Sequence, residues 1–438
     1  MRRGLLAAAA ATMGLLTACS GQGGSGSATS SAPPAADPSR VSGSITVLTN
    51  RTDEISDGTL KNYAEQFNQL YPHVTVNFEG ITDYEGETKI RMNTKNYGDV
   101  LLIPNNLPKS RYPTFFASLG SSADLSQKYS WTDYATVDDQ VYGIANLGNA
   151  VGFVYNKDLW AQAGVTSWPT TPQQFLEDLT AIKSRTGATP YYTNYHDGWP
   201  MEKWTDGIGV PGCDAKATDT MAADPAPWAA GKDLGVLDGL LYDAVHQKLT
   251  EADPTTTDWE KSKGLLANGQ IGAMFLGSWA IPQMQAAAKS AGKDPNSIAF
   301  MPFPQQTDGR FCTVVEPDYK YAVNVHSSHK DAARAWIDWF INKSGDAQAE
   351  QGISSVKGSA LPTSLKPFED QGVRLIPQAQ DKADLVGKID KAAETSLYAP
   401  DYRQHLVDVA RGAAGGDLSS VLADQNKKWA DAQKSSGS

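Results

Sequence analysis

Ser44-Ile45-Thr46-Val47-Leu48-Thr49 alternates and is rich in β-branched residues, which predicts a strand. The polar stretch Asn50 to Asp57 follows as a loop. Thr59 to Leu70 then carries Leu60, Tyr63, Ala64, Phe67 and Leu70 at helical spacing, and Tyr71-Pro72 ends it. Val74 to Phe78 predicts a second strand, and Asp99 to Ile103 a third, cut by Pro104. Strand, helix and strand in this order indicate an α/β layer with parallel pairing.

The later chain repeats the pattern. Ala150 to Tyr155 predicts a strand and Lys157 to Gln162 a short helix. Thr171 before Pro172 reads as the N-cap of an amphipathic helix over Gln173 to Thr186, with proline at its first position. Gly235 to Lys248 and Ser262 to Asn268 predict helices, and Ile271 to Leu276 a strand. His329 to Ile341 is helical, with Ala332, Ala333, Trp336, Ile337, Trp339 and Phe340 on a broad apolar face. Asp401 to Lys434 is helical with a break at Gly412 to Gly416. No short tandem repeat is visible, which argues against a solenoid.

The N-terminus has a different character. Arg2 and Arg3 precede an uncharged, mostly apolar run of 13 residues, Gly4 to Leu16. Leu16-Thr17-Ala18-Cys19 follows, then a Ser/Gly/Ala/Pro-rich tract from Ser20 to Ser42. A charged start, a short greasy run and small residues before the cut make a secretory signal. Roughly 20 apolar residues are needed to span a bilayer, so this run is too short. The cysteine after the small residues resembles a bacterial lipobox, in which Cys19 becomes the lipid-bearing first mature residue. A plain secreted protein with a chance cysteine is the competing reading.

The chain has 438 residues, enough for two or more domains and a sizeable core. Its formal charge is −11, and removing the two arginines of the leader takes it to −13. That balance does not suit nucleic acid or anionic lipid as a main partner. Besides Cys19 the chain holds Cys213 and Cys312. Outside the cell these two form either a disulfide or a pair of buried thiols, and the sequence leaves that open. The Cys and His positions match no zinc spacing.

Three segments together carry a family resemblance. The first runs Val141-Tyr142-Gly143-Ile144, then Gly152-Phe153-Val154-Tyr155-Asn156-Lys157-Asp158-Leu159-Trp160, Ala163-Gly164 and Trp168-Pro169-Thr170-Thr171-Pro172. The second runs from Leu266-Ala267-Asn268-Gly269-Gln270 through Ile271-Gly272-Ala273-Met274 to Gly277-Ser278-Trp279. The third is Asp331-Ala332-Ala333-Arg334-Ala335-Trp336-Ile337-Asp338-Trp339-Phe340. In this order the chain resembles the extracellular solute-binding proteins of ABC importers, in the carbohydrate branch that includes the maltose-binding proteins.

The resemblance implies an α/β, two-lobed, periplasmic-binding-protein-like fold with hinge crossovers and a ligand cleft between the lobes. Residues 1–18 would be the lipoprotein leader and 19–43 a flexible linker. Lobe one would take 44–148 and 304–345, and lobe two 149–303 and 346–435. It further implies a monomeric, non-catalytic receptor on the outer face of the bacterial cytoplasmic membrane, held by lipid only. Its partners would be a neutral sugar or oligosaccharide and the permease subunits with their ATPase, with no nucleic acid, metal or cofactor. Clefts of this kind close by hinge motion, driven by ligand contacts made only when both lobes engage.

A neutral sugar offers patches of C–H and a ring of hydroxyls, which call for aromatic faces and for amides, carboxylates or arginine. Tyr191 to Trp204 holds five aromatics in 14 residues, against 9% for the chain. Most single aromatics pack cores. Trp199 and Trp204 nevertheless sit among polar neighbours in a predicted loop, so at least one is expected in the cleft. Trp279 is the stronger candidate, because Gly-Ser-Trp resembles the family's stacking tryptophan. Asn50 and Thr52, in the loop after the first strand, and Asn106, after the third, are candidate polar contacts, as is Asn149 at the first crossover. Relatives often place charged groups at these points. Tyr398 and Arg403 lie in a late segment resembling another contact point, with an exposed helix face as the alternative. Glu316 either binds hydroxyls or is a solvated loop charge.

Other chemistry finds little footing. Gly207-Ile208-Gly209-Val210-Pro211-Gly212 matches a dinucleotide pattern formally, yet it follows no predicted strand and contains a proline. The sequence shows no phosphate-binding loop, no zinc-protease His-Glu pair and no Gly-x-Ser-x-Gly. Acids are plentiful, so an anchored glycoside hydrolase stays open as the alternative from another class. A receptor for another solute, such as a peptide, is the third.

Overall fold

The computed structural model describes residues 30–34, 37–105, 107–379 and 381–435. The strands that organise it are β1 (Gly43–Thr49), β2 (Val74–Gly80), β3 (Val100–Leu102), β4 (Ile144–Ala145) and the long β5 (Leu147–Asn156). They continue with β6 (Thr189–Tyr191), β7 (Ile271–Gly277), β8 (Ile298–Met301), β9 (Arg310–Pro317) and β10 (Lys320–Val323). The helices used below are α1 (Thr52–Ser56), α2 (Thr59–Asn68), α3 (Pro172–Thr186), α4 (Asp233–His246), α5 (Ala280–Ser290), α6 (Lys330–Lys343), α7 (Asp346–Ala349) and α8 (Pro400–Ala410).

Two sheets form two lobes. In the first the order is β2-β1-β3-β10-β4. β1 pairs in parallel with β2 and β3, as the opening strand–helix–strand pattern predicts, and β10 joins β3 and β4 antiparallel. The apolar stripe of α2 meets that of α6: Phe67 and Trp336 lie edge to face at 5.3 Å, and Tyr63 and Phe340 at 5.6 Å. The second sheet is built on β5, flanked by β7, β8 and β9. Its core gathers Phe153, Phe175, Trp204, Leu237, Phe275 and Trp429, all at most 2% exposed. Thr171 caps α3 as expected, its hydroxyl accepting from the Gln174 N–H at 3.1 Å.

The lobes are joined by a two-stranded ribbon. Glu316 pairs with Asn149 and Pro317 with Gly148 in the second sheet. A few residues on, Lys320 pairs with Ala145 and Tyr321 with Ile144 in the first. The same two chain segments therefore cross from one core to the other side by side. The close approach demands glycine at Gly148, where an added Cβ would stand 2.7 Å from the Glu316 carbonyl oxygen and 2.6 Å from the Trp131 ring.

Two expected boundaries need correction. Residues 304–317 belong to lobe two, because β9 pairs with β5 and buries Cys312 and Val314 in that lobe's core. Lobe one resumes at β10. The expected linker is also shorter than 19–43. Ala32 is fully buried on lobe one, and Ser30 to Ala32 exchange backbone hydrogen bonds of 2.8 Å with Ser118. Arg334 of α6 clamps this strap by donating to the Ala32 carbonyl at 2.8 Å and to that of Leu119. Cys19 lies outside the described residues.

Cys213 and Cys312 are disulfide-bonded, with Cα atoms 5.5 Å apart and a sequence separation of 99. The bridge ties the loop after Gly212 to β9. A cross-link closing a loop of about 100 residues removes much denatured-state freedom, and losing a native one costs about 2–5 kcal/mol. Replacing both cysteines by alanine is expected to lower unfolding stability by that amount in urea titrations. An unchanged midpoint and slope would contradict this account.

Candidate functional site

The site forms where the ribbon passes between the lobes. Asn50, Arg51, Leu102, Tyr319 and Tyr321 line a cavity from the lobe-one side. Asn149 and Trp279 line it from lobe two, and Asn146, Leu147, Asp318, Asp346 and Glu350 from the crossing segments. The expected contacts Asn50, Asn149 and Trp279 thus meet in one place, although more than two hundred residues of chain separate the first from the last.

Local chemistry explains their placement. Trp279 follows β7 and stands immediately before α5. Its indole folds back over the strand end, where an added Cβ on Gly277 would lie 2.4 Å from Nε1, so glycine is required there. Ser278, fully buried, ties this turn to β5: its N–H donates to the Ala150 carbonyl at 2.8 Å and its hydroxyl accepts from the Ala150 N–H at 3.0 Å. Trp199 and Trp259 pack beside Trp279, with ring centroids 5.7 Å and 5.9 Å from it. All three indoles are partly buried and form one aromatic wall on lobe two. Trp199 therefore supports Trp279 and flanks the cavity.

A second group of polar residues adjoins the ribbon. Burial, followed by repulsion from Asp206, raises the Glu316 carboxyl to about 7, against the pull of Lys203 and Lys320. Lys203 pairs with Asp206 at 3.0 Å. Burial lowers Lys320, against the pull of Asp318, Glu316 and Glu85, and its Nζ reaches Asn105 Oδ1 at 3.5 Å. The Tyr319 hydroxyl donates to Glu85 at 2.8 Å. Tyr398 is 49% exposed at this edge. Its hydroxyl end nevertheless lies in crowded surroundings, and burial followed by Glu316, Asp390 and Asp206 raises its pKa. Glu316 is therefore no solvated loop charge.

Three candidates are misplaced by the sequence reading. Trp204 is 1% exposed and stacks on Phe275 at 4.5 Å inside lobe two, so it is core. Arg403 is fully buried. Its Nε donates to Asp238 at 2.9 Å, and Tyr402 and Trp228 donate to the same carboxylate at 2.6 and 3.1 Å. It braces α8 against α4 and touches no cleft. Thr52 starts α1, exposed, with its methyl against Gly80 rather than the cavity. Asn106 lies outside the described residues.

Sequence reasoning missed Arg51, Asp318, Tyr319, Tyr321, Asp346 and Glu350. Arg51 stands between two residues that were singled out. Asp318 and Tyr319 follow Glu316 at the crossover, so their positions were signalled even though their roles were not.

The arrangement is a cleft between two separately cored lobes, with an indole and two amides converging on it. The family described as bacterial extracellular solute-binding protein matches residues 52–347. The chain belongs to this family. Among solved structures, it is 32% identical to a binding protein of an ABC transporter from Bifidobacterium animalis subsp. lactis, solved in complex with mannobiose. That match covers 91% of this chain and 96% of the other, with a TM-score of 0.81. A manno-oligosaccharide-specific solute-binding protein from the same organism, in complex with mannotriose, is 30% identical. It covers 90% and 95% of the two chains, also at TM-score 0.81. The raffinose complex of the solute-binding protein RafE is 17% identical with a TM-score of 0.63 over 90% of this chain and all of the other, a likeness of fold alone. A search of curated proteins gives no match. Among the described residues no helix of this family member is long and apolar enough to cross a membrane.

Removing one partner of a buried ion pair leaves an uncompensated charge and costs about 3–5 kcal/mol. Asp238→Ala strands Arg403 in this way and is expected to lower the thermal midpoint clearly while native protein, assayed in the cold, keeps its ligand affinity. An altered affinity at unchanged stability would return Arg403 to the cleft.

Proposed function

We propose that this family member is the lipid-anchored receptor of a carbohydrate ABC importer. It captures manno-oligosaccharides between its lobes and hands them, uncleaved, to the permease and its ATPase. The observation that carries this reading is the convergence of Trp279 with Asn50 and Asn149 on the interlobe cavity. A pyranose has one apolar face suited to an indole and equatorial or axial hydroxyls suited to amides. The mannobiose and mannotriose complexes of the two relatives supply the sugar class. Glu316 and Tyr398 extend the polar and aromatic surface beyond that point and are read as contacts to further sugar units.

Binding is coupled to closure because a ligand held by only one lobe gains only part of the contacts. Lipidation at Cys19 would keep the receptor near its permease. The strap begins at Ser30, so the stretch from Cys19 spans at most roughly 40 Å when extended. The protein acts as a monomer at the outer face of the cytoplasmic membrane.

Titration calorimetry with mannobiose, mannotriose, maltose, raffinose and a short peptide tests the ligand. The manno-oligosaccharides are expected to bind, and at a hundredfold excess over Kd to add about 2.7 kcal/mol of stability. Cleavage products on prolonged incubation would replace the receptor by a hydrolase. Trp279→Ala is expected to weaken binding by about 1–3 kcal/mol without unfolding, from lost stacking and apolar contact. An unchanged Kd removes Trp279 from the site. Cys19→Ser is expected to move the protein from the membrane fraction to the soluble one, and retention on membranes would rule out the lipid anchor.

A further inference from the structure

One residue of the cavity wall does more than line it. The Arg51 guanidinium holds Asp53 by two bonds, Nε at 3.0 Å and Nη2 at 2.9 Å. Its Nη1 lies 2.9 Å from Glu54 and 2.9 Å from Glu350. Glu350 follows α7, in the stretch that runs from lobe one to Ile353, which pairs with Gly148 at the head of β5. The next residue, Gln351, donates through Nε2 to Gln285 Oε1 at 2.8 Å. Gln285 lies on α5, the helix that starts after Trp279. On the same stretch Asp346 accepts from Asn146 Nδ2 at 2.6 Å, and Asn146 is the residue between the two sheets on the ribbon's other strand.

We infer that Arg51 is a positioning residue: with Glu350, Gln351 and Gln285 it forms a clasp that couples the ligand loop of lobe one to the hinge and to the tryptophan-bearing helix of lobe two. The clasp rests on the receptor reading for its purpose, but its mechanics do not need a sugar. Asn50 and Arg51 are adjacent, so any shift of the guanidinium toward Glu350 moves the amide that faces the ligand. Closure then depends on the charge balance of the clasp.

That balance is unusual. One guanidinium faces Asp53, Glu54 and Glu350, with Asp346 next to them. The other titratable groups facing the cluster are Tyr63 of α2, Tyr321 of β10, and Asp318 and Tyr319 of the ribbon, which share the cavity wall with Asp346 and Glu350. Burial, eased by Arg51, raises the Glu54 carboxyl to about 8. Burial, reinforced by Glu350, raises Asp346 to about 6. Both shifts mean that the folded cluster prefers to be protonated, so ionisation on going from pH 6 to 8 loads it with repulsion. Asp346 and Glu350 line the cavity, and closing removes water from it. Water loss disfavours the charged carboxylates further. Closure therefore takes up protons, and affinity falls as pH rises.

Two measurements on the full mature chain test this. Small-angle scattering without ligand is expected to give a larger radius of gyration at pH 9 than at pH 6. Glu350→Gln and, where it folds, Arg51→Met are expected to remove that difference, and Arg51→Lys, which cannot hold Asp53 and Glu350 together, to leave it removed. Calorimetry with mannotriose in phosphate and in Tris at pH 7.5 is expected to show net proton uptake. Kd should rise about three- to tenfold between pH 6.5 and 8.5, and less than about twofold in Glu54→Gln. A pH-independent radius in the native chain, unaltered by Glu350→Gln, overturns the clasp. Absence of mannotriose binding overturns the receptor reading instead, and the scattering still decides the clasp.

Discussion

The crossing of two antiparallel strands from one sheet into the other is the constraint on which the molecule depends. Each lobe has its own apolar core, and the chain visits lobe one, lobe two and lobe one again before the last helices return to lobe two. At the ribbon, backbone pairing runs in register through Glu316–Asn149 and Pro317–Gly148, with the Asp318 N–H donating to the Leu147 carbonyl at 2.9 Å, and resumes at Lys320–Ala145. Breaking either ladder would expose buried peptide groups, which costs more than bending what lies between. Between the ladders lie Asn146–Leu147 and Asp318–Tyr319, tied to a third crossing stretch by the Ser355 N–H, which donates to the Asn146 carbonyl at 3.1 Å. Those four residues are also cavity walls, so the connection between the lobes and the cavity share the same residues.

This explains why the charged groups gather where they do. A neutral ligand asks for hydroxyl partners, not for net charge. Yet Glu316, Asp318, Lys320, Asp346, Glu350 and Arg51 all sit on or beside the crossing segments. Half-buried charges are costly unless paired. Each acid here has a lysine, an arginine or an amide within reach, and those partners come from different elements. The pairing therefore constrains the angle between lobes as well as neutralising charge. Asn50, Asn149 and Trp279 are left as uncharged lining of the cavity.

The α/β class was legible because it depends on local periodicity. Thr59 to Leu70 shows its helical stripe and Ser44 to Thr49 its alternation without reference to anything distant. The position of Trp279 beside the cavity was legible through the resemblance of Gly277-Ser278-Trp279 to the family's stacking tryptophan, whereas the room that Gly277 leaves for the folded-back indole shows only in the structure. Trp204 and Arg403 show where such reading stops. Trp204 has polar neighbours in sequence, but its ring stacks on Phe275, seventy-one residues later, and no local signal reports that. Arg403 is buried because Asp238 supplies its counter-charge from another helix. A buried arginine and an exposed one look alike until the partner is placed. The return to lobe one was misjudged for the same reason: β9 is a strand of lobe two only through its register with β5.

The strap at Ser30–Ala32 adds a mechanical consequence. Arg334 is itself 1% exposed and spends its guanidinium on the Ala32 and Leu119 carbonyls and on Asp338. A charge buried so deeply, with its donors aimed at the Ala32 and Leu119 carbonyls, fixes the strap to lobe one rather than to the hinge. Any tether upstream of Ser30 therefore pulls on lobe one. Trp279 and its aromatic wall stand on lobe two, the lobe without that attachment. Across the cavity from the indole stands Asn50, on the lobe to which Arg334 ties the strap. The ribbon thus joins the lobe that carries the strap to the lobe that carries the indole, and the stretches between its two ladders are themselves held by the Asp318 N–H donating to the Leu147 carbonyl at 2.9 Å and the Ser355 N–H to the Asn146 carbonyl at 3.1 Å.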